Sequence, residues 1–466
     1  MLGRQERNQK SLLVPGSIED FIPEDHILKR VDKVLDLSWL RSEVKGNYCE
    51  FNGRPGIDPE AAVRLMLAGF FHGIVHDRKL MREAQVNLAI RWFAGYGMLE
   101  DLPDHSTLTR IRQRWGAEQF RMIFARTVKA CMDAGLVTGE TVHADATLIR
   151  ADVSWESITT EYADETYKTN MDEEKHPERK KKKRSTTDPD ATLTTSSKEK
   201  RMEPSYKQHT AVDDKAGVIV DVETTTGEAS EGKNLLNVME RVEKLTGKKI
   251  ERITADAGYA HPMNYQELEE RGTEAIIPPQ KIGRHMNKVP FRLFKYDEKN
   301  DVARCPAGGI LRRANRVKSG WMYRGAKRTC GNCRLREKCV PAGSKTRMIL
   351  IVDGYPSLLR ARRWRPNWDD DTRKYYDRHR HLVEGVHGEA KTQHGLRRAM
   401  RRGLENVAIQ VYLTAAVINL KRLAAFLCLV LRLKIANIKL TRKISFYLDE
   451  VFNVNALQAA SEGATS

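Results

Sequence analysis

"ETVHADATLI", residues 140–149, is the stretch on which the fold turns, because the hydrophobic period of the chain changes there. Upstream, apolar residues recur at helical spacing. From Glu140 they alternate among Val, Ile and Thr, as in a half-buried strand. "YKQHTAVDD" (206–214) and "GVIVDVETTTG" (217–227) share this character, with "DDKAG" as the hairpin turn between them. "GKNLLNVMERVEKLTGKK" (232–249) is an amphipathic helix closed by Gly247, and it feeds "IERITADAGYA" (250–260), a further strand. Strands, a helix and a strand in this order predict an α/β domain with a mixed sheet.

The first 130 or so residues read as helices. "IDPEAAVRLMLAGFFHG" (57–73) opens with Asp58 as cap and Pro59 at the first helical position. "DRKLMREAQVNLAIRWF" (77–93) follows, and then "PDHSTLTRIRQRWG" (103–116), which carries Arg110, Arg112 and Arg114. Two helices, a turn and a basic helix match a helix-turn-helix that reads a major groove; they also match a helical bundle with a solvated basic face.

Between the first two strands, residues 162–204 are charged and rich in Ser and Thr, with almost no large apolar residues. Such a segment buries too little to offset its chain entropy and is expected to be a mobile basic insertion. "TEAIIPPQ" (273–280) and "RMILIVD" (347–353) read as strands flanking a cysteine-rich region. A long helix spans 405–433, and no internal repeat is evident.

The chain of 466 residues holds 80 Lys and Arg against 62 Asp and Glu, a formal charge of +18, with runs such as "ERKKKKRS" (178–185) and "GLRRAMRRG" (395–403). That excess points to a polyanionic partner, most often nucleic acid. The start "MLGRQERNQK" is not a secretory leader, and "LAAFLCLVL" (423–431) is too short to span a bilayer, so a cytoplasmic chain without a membrane role is expected. Of seven cysteines, Cys305, Cys330, Cys333 and Cys339 fall within one segment, enough ligands for a structural Zn²⁺ or four reduced thiols in a basic loop. Cys49, Cys131 and Cys428 read as core or incidental thiols.

Three carboxylates are the candidates for chemistry. Asp145 in "VHADATLIR" and Asp256 in "ITADAGYAHP" each follow an apolar strand pattern and precede small residues, which delivers a carboxylate to the rim of a sheet. An Asp in that position also commonly caps the next turn. In "RHLVEGVHGEAK" (380–391), Arg380, Glu384, His387 and Lys391 share one helix face, whereas Glu389 points away. Together the three acids suit Mg²⁺, which takes oxygen ligands. Two such ions serve in-line phosphoryl transfer, and Arg380 and Lys391 are placed to hold non-reacting phosphates or, alternatively, to pair with Glu384. Asp353 in "MILIVDGYP" also ends an apolar run; Asp188, Asp190 and the run Asp369–Asp371 read as solvated charges.

"ADAT" at Asp145, "TADAGYAHPMNYQELEERG" at Asp256 and "YYDRHRHLVEGVHGEAKTQHGLRR" at Glu384 resemble the three catalytic blocks of bacterial insertion-sequence DDE transposases with an RNase H-like core. "PDHSTLTRIR" resembles their InsH-type N-terminal domain. The resemblance implies that Asp145, Asp256 and Glu384 bind two Mg²⁺ ions, with Mn²⁺ as a substitute, and that Tyr376, Arg380 and Lys391 contact DNA alongside Arg110, Arg112 and Arg114. Tyr376 departs from the family spacing, with three residues rather than two before Arg380.

The implied architecture is an RNase H-like mixed sheet flanked by helices, with an all-α N-terminal domain and a Cys-rich insertion. The segments are 1–135, helical and DNA-binding; 136–302, the first catalytic part, with the mobile insertion at about 155–204; 303–345, the Cys-rich insertion; 346–433, carrying the Glu helix; and a tail, 434–466. The implied activity is cleavage at the terminal inverted repeats of an insertion sequence and joining of the 3′-hydroxyl to target DNA, by a homodimer at the bacterial nucleoid. A structure-selective nuclease and a domesticated DNA-binding regulator are the alternatives.

Overall fold

The computed structural model describes residues 16–49, 56–161, 182–195, 202–280 and 289–462. The chain forms two compact units: one holds the residues up to Ile123, Gln393–Gly395 and the chain from Ala416; the other holds Phe124–Thr392 and Leu396–Ala415. The last helix is thus divided between the units, a partition that the linear order of segments does not convey.

The first unit is helical: α1 (Ile27–Asp32), α2 (Leu40–Val44), α3 (Pro59–Phe71), α4 (Asp77–Val86), α5 (Leu88–Phe93) and the start of α6 (His105–Asp133). Asp58 caps α3, its carboxylate accepting from Glu60 N at 2.7 Å, and the periodic apolar residues Val63, Leu65, Met66, Leu67 and Phe70 are buried. The helix expected over 77–93 is broken at Asn87, whose extended backbone ends α4 and whose side chain accepts from Ile90 N to start α5. The third expected helix does not stop at Gly116 but kinks there, at φ 69°, and runs on.

In the second unit a mixed sheet contains β1 (Thr141–Arg150), β2 (Ile158–Glu161), β3 (Lys182–Ser185), β4 (Thr192–Thr194), β5 (Glu203–Asp213), β6 (Ile219–Thr226), β7 (Arg252–Ala255) and β8 (Glu274–Ile276). Its central order is β6-β5-β1-β7-β8, antiparallel from β6 to β1 and parallel from β1 to β8. α7 (Glu231–Thr246) makes the crossover from β6 to β7, and α8 (Pro262–Arg271) that from β7 to β8. Gly247 takes φ 67° and closes α7.

β2, β3 and β4 extend the sheet beyond β5, so the segment expected to be wholly mobile supplies ordered strands at both ends. Asp188, expected to be a solvated charge, is 1% exposed: it accepts from the Tyr206 hydroxyl at 2.5 Å and from Gly403 N at 3.2 Å. Asp190 accepts from Leu404 N at 2.9 Å. These acids satisfy the first amides of the last helix, which their polar sequence context does not reveal. Residues 162–181 and 196–201, including the first half of the run at 178–185, lie outside the described residues.

A second sheet, wholly antiparallel, contains β9 (Lys295–Asp297), β10 (Val302–Arg304), β11 (Ile310–Val317), β12 (Gly320–Gly325) and β13 (Met348–Val352), in the order β13-β12-β11-β10-β9. Short helices α9 (Lys327–Gly331) and α10 (Arg336–Cys339) interrupt it, and α11 (Tyr355–Trp364), α12 (Asp370–Gln393) and α13 (Leu404–Glu462) complete the fold. The apolar run 423–431 belongs to a longer stretch, Leu404–Leu433, which by length and composition could cross a membrane; 56% of its most apolar window is buried within the protein, as in a core helix.

Candidate active site

The β1–β7 register ends at the pair Ala144↔Ala255. Asp145 and Asp256 are the next residues on these two parallel neighbours, whose backbones run about 4.8 Å apart. Asp145 is not at the end of its own strand, since β1 continues to Arg150 against β5. It reaches the rim because β7 stops beside it. Asp256 turns out of β7 into a single 3₁₀ turn and caps it, accepting from Gly258 N at 2.7 Å.

α12 lies across this rim. Asp369 accepts from Thr372 N at 2.8 Å at its start, and Asp370 and Asp371 follow in the first turn, where a helix dipole favours acids. Its inner face buries His379, Val383, Val386, His387 and Ala390. His387 donates to or accepts from Thr210 Oγ1 at 2.9 Å on β5 and approaches Asp145 Oδ2 at 3.7 Å. Burial lowers its pKa to about 3, so the ring is neutral. Glu384, one turn earlier, is exposed at the edge of the same face and lies 3.5 Å from Arg380. Lys391, one turn later, donates to Thr147 Oγ1 at 2.5 Å. The half-buried Tyr376 stacks on His379 and lies against Trp368.

The electrostatics record the crowding of acids. Burial above all raises Asp145 to about 7; the hydrogen bond of the Ala146 amide opposes it, and the charges of Asp256, Glu231 and Glu384 add to it. Asp256 is raised as well, by burial and by Glu231. Glu231 begins α7, takes Lys207 at 3.0 Å, and was missed by the sequence reading; an acid in the first turn of a helix has an ordinary explanation in the dipole. Hard oxygen donors that repel one another fit a divalent cation such as Mg²⁺. Among the described residues, no three His, Cys, Asp or Glu side chains stand close enough to grip one as they lie.

The remaining candidates are dispersed. Arg112 is 5% exposed and makes a bidentate pair with Asp77 at 2.7 and 3.0 Å, joining α4 to α6, so its guanidinium is committed to packing. Arg110 is exposed; Arg114 is exposed and lies over the Tyr48 ring at 4.6 Å. Asp353 is held by Arg316 at 2.6 and 2.8 Å. Cys305, Cys330, Cys333 and Cys339 line one cavity of about 420 Å³. Gly309 N donates to Cys305 Sγ at 3.1 Å, Leu335 N to Cys333 Sγ at 3.4 Å, and burial with the three neighbouring thiols pushes Cys339 up.

Residues 16–114 match the family model of a transposase domain (DUF772), and residues 304–424 match that of a transposase DDE domain. These two matches mark the chain as a transposase, and they support the insertion-sequence type of DDE transposase. The second match contains Glu384 and the four clustered cysteines; Asp145 and Asp256 lie outside both. No curated protein matches the chain. Among solved structures, the piggyBac transposase synaptic complex with hairpin DNA is similar at 11% identity and a TM-score of 0.31, covering 86% of this chain and 74% of that one. The Mos1 transposase paired-end complex with left transposon end gives 11% and 0.17, covering 51% of this chain and 65% of that one. The Mos1 mariner paired-end complex with Mn gives 12% and 0.17, covering 51% and 64%.

Proposed function

We propose that this transposase cleaves DNA at the terminal inverted repeats of its element and joins the freed 3′-hydroxyl to target DNA, with Asp145, Asp256 and Glu384 as the carboxylate triad. The observation that carries this reading is the placement of Asp145 and Asp256 just beyond the last β1–β7 pair, with the Glu384 face of α12 laid over Asp145. The strand order β6-β5-β1-β7-β8, antiparallel then parallel, supports an RNase H-like core.

Asp145, Asp256 and Glu384 would hold two Mg²⁺ or Mn²⁺ ions. When bound, such ions supply activation of an attacking water or hydroxyl and neutralisation of the leaving oxygen. Lys391 and Arg380 orient the neighbouring phosphates, and Tyr376 is half-buried beside the same rim. His387 stays neutral and keeps α12 seated on β5, so the exposed Glu384 edge faces the substrate. In this reading Lys207, held by Glu231, favours the Asp256 carboxylate. The helical first unit reads the element ends with Arg110 and Arg114 as its exposed cations, two chains act together on the two ends, and the protein works at the nucleoid. Cys305, Cys330, Cys333 and Cys339, which line one cavity, would hold a structural Zn²⁺.

The test is incubation of the protein with Mg²⁺ and a DNA fragment carrying the element's own ends, followed by mapping of nicks and joins. Joined products that vanish in Asp256→Asn support the reading. Cutting without joining makes the protein a nuclease, and binding without either makes it a regulator.

A further inference from the structure

The second sheet separates its charges by face. Residues directly opposite across strands project to the same side, and the buried side carries Ala303, Leu311, Tyr323, Ile349 and Ile351. The two arginines on that side, Arg313 and Arg316, each meet a carboxylate, Asp301 at 2.9 Å and Asp353 at 2.6 Å. On the solvated side the pattern inverts. Lys295 stands opposite Arg304, and Arg312 stands opposite Arg324. All four are exposed, and among the described residues none of them forms an ion pair with a carboxylate. The acid on that side, Asp297, is engaged by the amide of Asn300 at 2.9 Å.

Like charges placed directly opposite one another destabilise a strand pair. A sheet that neutralises the arginines of one face and leaves two cation–cation pairs on the other is organised for an external polyanion. We propose that the solvated face of β9–β12 is a docking surface for the sugar–phosphate backbone of duplex DNA, gripped by Lys295, Arg304, Arg312 and Arg324. The choice of DNA over another polyanion rests on the transposase reading above. Contacts of this kind add affinity and register without reading bases.

The experiment is fluorescence anisotropy of the full chain with two labelled duplexes, one carrying the element's end and one of unrelated sequence, from 50 to 200 mM salt. Each phosphate contact contributes about 0.9 to the slope of log affinity against log salt. R312Q/R324Q should lower the slope by about 1.8 on both duplexes, so the affinity lost over this fourfold salt range shrinks about 12-fold. R312K/R324K should keep the slope, and K295Q/R304Q should reproduce the Gln effect from a separate row of the sheet. Unchanged slopes in both Gln pairs overturn the proposal, as does a loss confined to the element's end, which would mean base reading. Asp145→Asn separates the two readings: it should lose joining while keeping the full slope. If the unaltered chain binds neither duplex, both readings fall.

Discussion

Asp145 occupies a position where ionising is costly. It is 23% exposed, and its neighbours Asp256, Glu231 and Glu384 carry the same charge. In the unfolded chain its pKa is 3.8, and in the folded one about 7. Between these values the folded state holds a proton that the unfolded state has released, so the contribution of Asp145 to the stability of the metal-free protein falls as pH rises from about 4 to 7, by roughly 4 kcal/mol in all. Asp145→Asn should remove that decline and raise the urea midpoint at pH 8 while abolishing strand joining; an unchanged midpoint would count against the crowding. Glu231→Gln should move the midpoint the same way by less, because it deletes one distant charge and leaves the burial of Asp145 intact. The acidity of residues 145, 256 and 384 was readable in the chain, but the reason that Asp145 lies at a rim was not. A period of two marks β1, whereas the point at which its neighbour stops is a property of pairing. Arg112 is the reverse case. At about 100° per residue it points roughly 200° away from Arg110, so the spacing alone could have set it on the packed side.

α12 carries Glu384, and a chain of buried polar groups fixes this helix to the sheet. Asp214 meets His143 Nε2 at 2.9 Å, His143 Nδ1 meets Thr254 Oγ1 at 2.6 Å, and Thr254 Oγ1 meets His379 Nδ1 at 2.9 Å. Arg378 closes the chain from α12 onto Asp214 at 3.0 Å. One hydroxyl, that of Thr254, therefore serves two imidazoles on different elements. Thr254→Val keeps the shape and strips both rings of that partner, at about 1–3 kcal/mol for each buried group left unmade. The urea midpoint should fall with an unchanged m-value, and joining should fall with it; a midpoint equal to that of the unaltered protein would show that the relay does not hold α12. Sequence patterns gave the existence of α7, α12, β5 and β6 because their periodic patterns are long, and of β7 and β8 because short apolar runs follow directly on helices closed by Gly247 and Gly272. They did not give the Asn87 break, where a capping side chain overrides a continuous apolar stripe, nor β4, which pairs on β5, nor β3, which pairs on β4 and β2, neither having an apolar period of its own.

Across the second unit, buried bases and one buried acid set opposing pH dependences, and their sum is a property of the fold as a whole. Burial lowers His209 and His379 to about 4 and His387 to about 3. Each takes up a proton near 6.5 when unfolded, so each favours the folded state less as pH falls from 6.5 toward its folded value. In the window from about 4 to 6.5 the unfolded chain binds three protons through these rings and the folded one binds one through Asp145, so these four groups make stability rise with pH at roughly 2.7 kcal/mol per unit, while His143, lowered by burial, adds to the rise and Asp256, raised by burial, opposes it. Above 6.5 the rings lose their protons in the unfolded chain and Asp145 ionises in the folded one, so the rise flattens and stability levels off near pH 7. Metal-free protein followed by circular dichroism in urea at half-unit pH steps should show stability rising with pH from about 4 and flattening near pH 7. In Asp145→Asn the acid limb should steepen by about one proton. A flat profile between pH 4 and 6.5 would mean that the three rings are not held neutral, and with that the seating of α12 on β5 through His387 would lose its support.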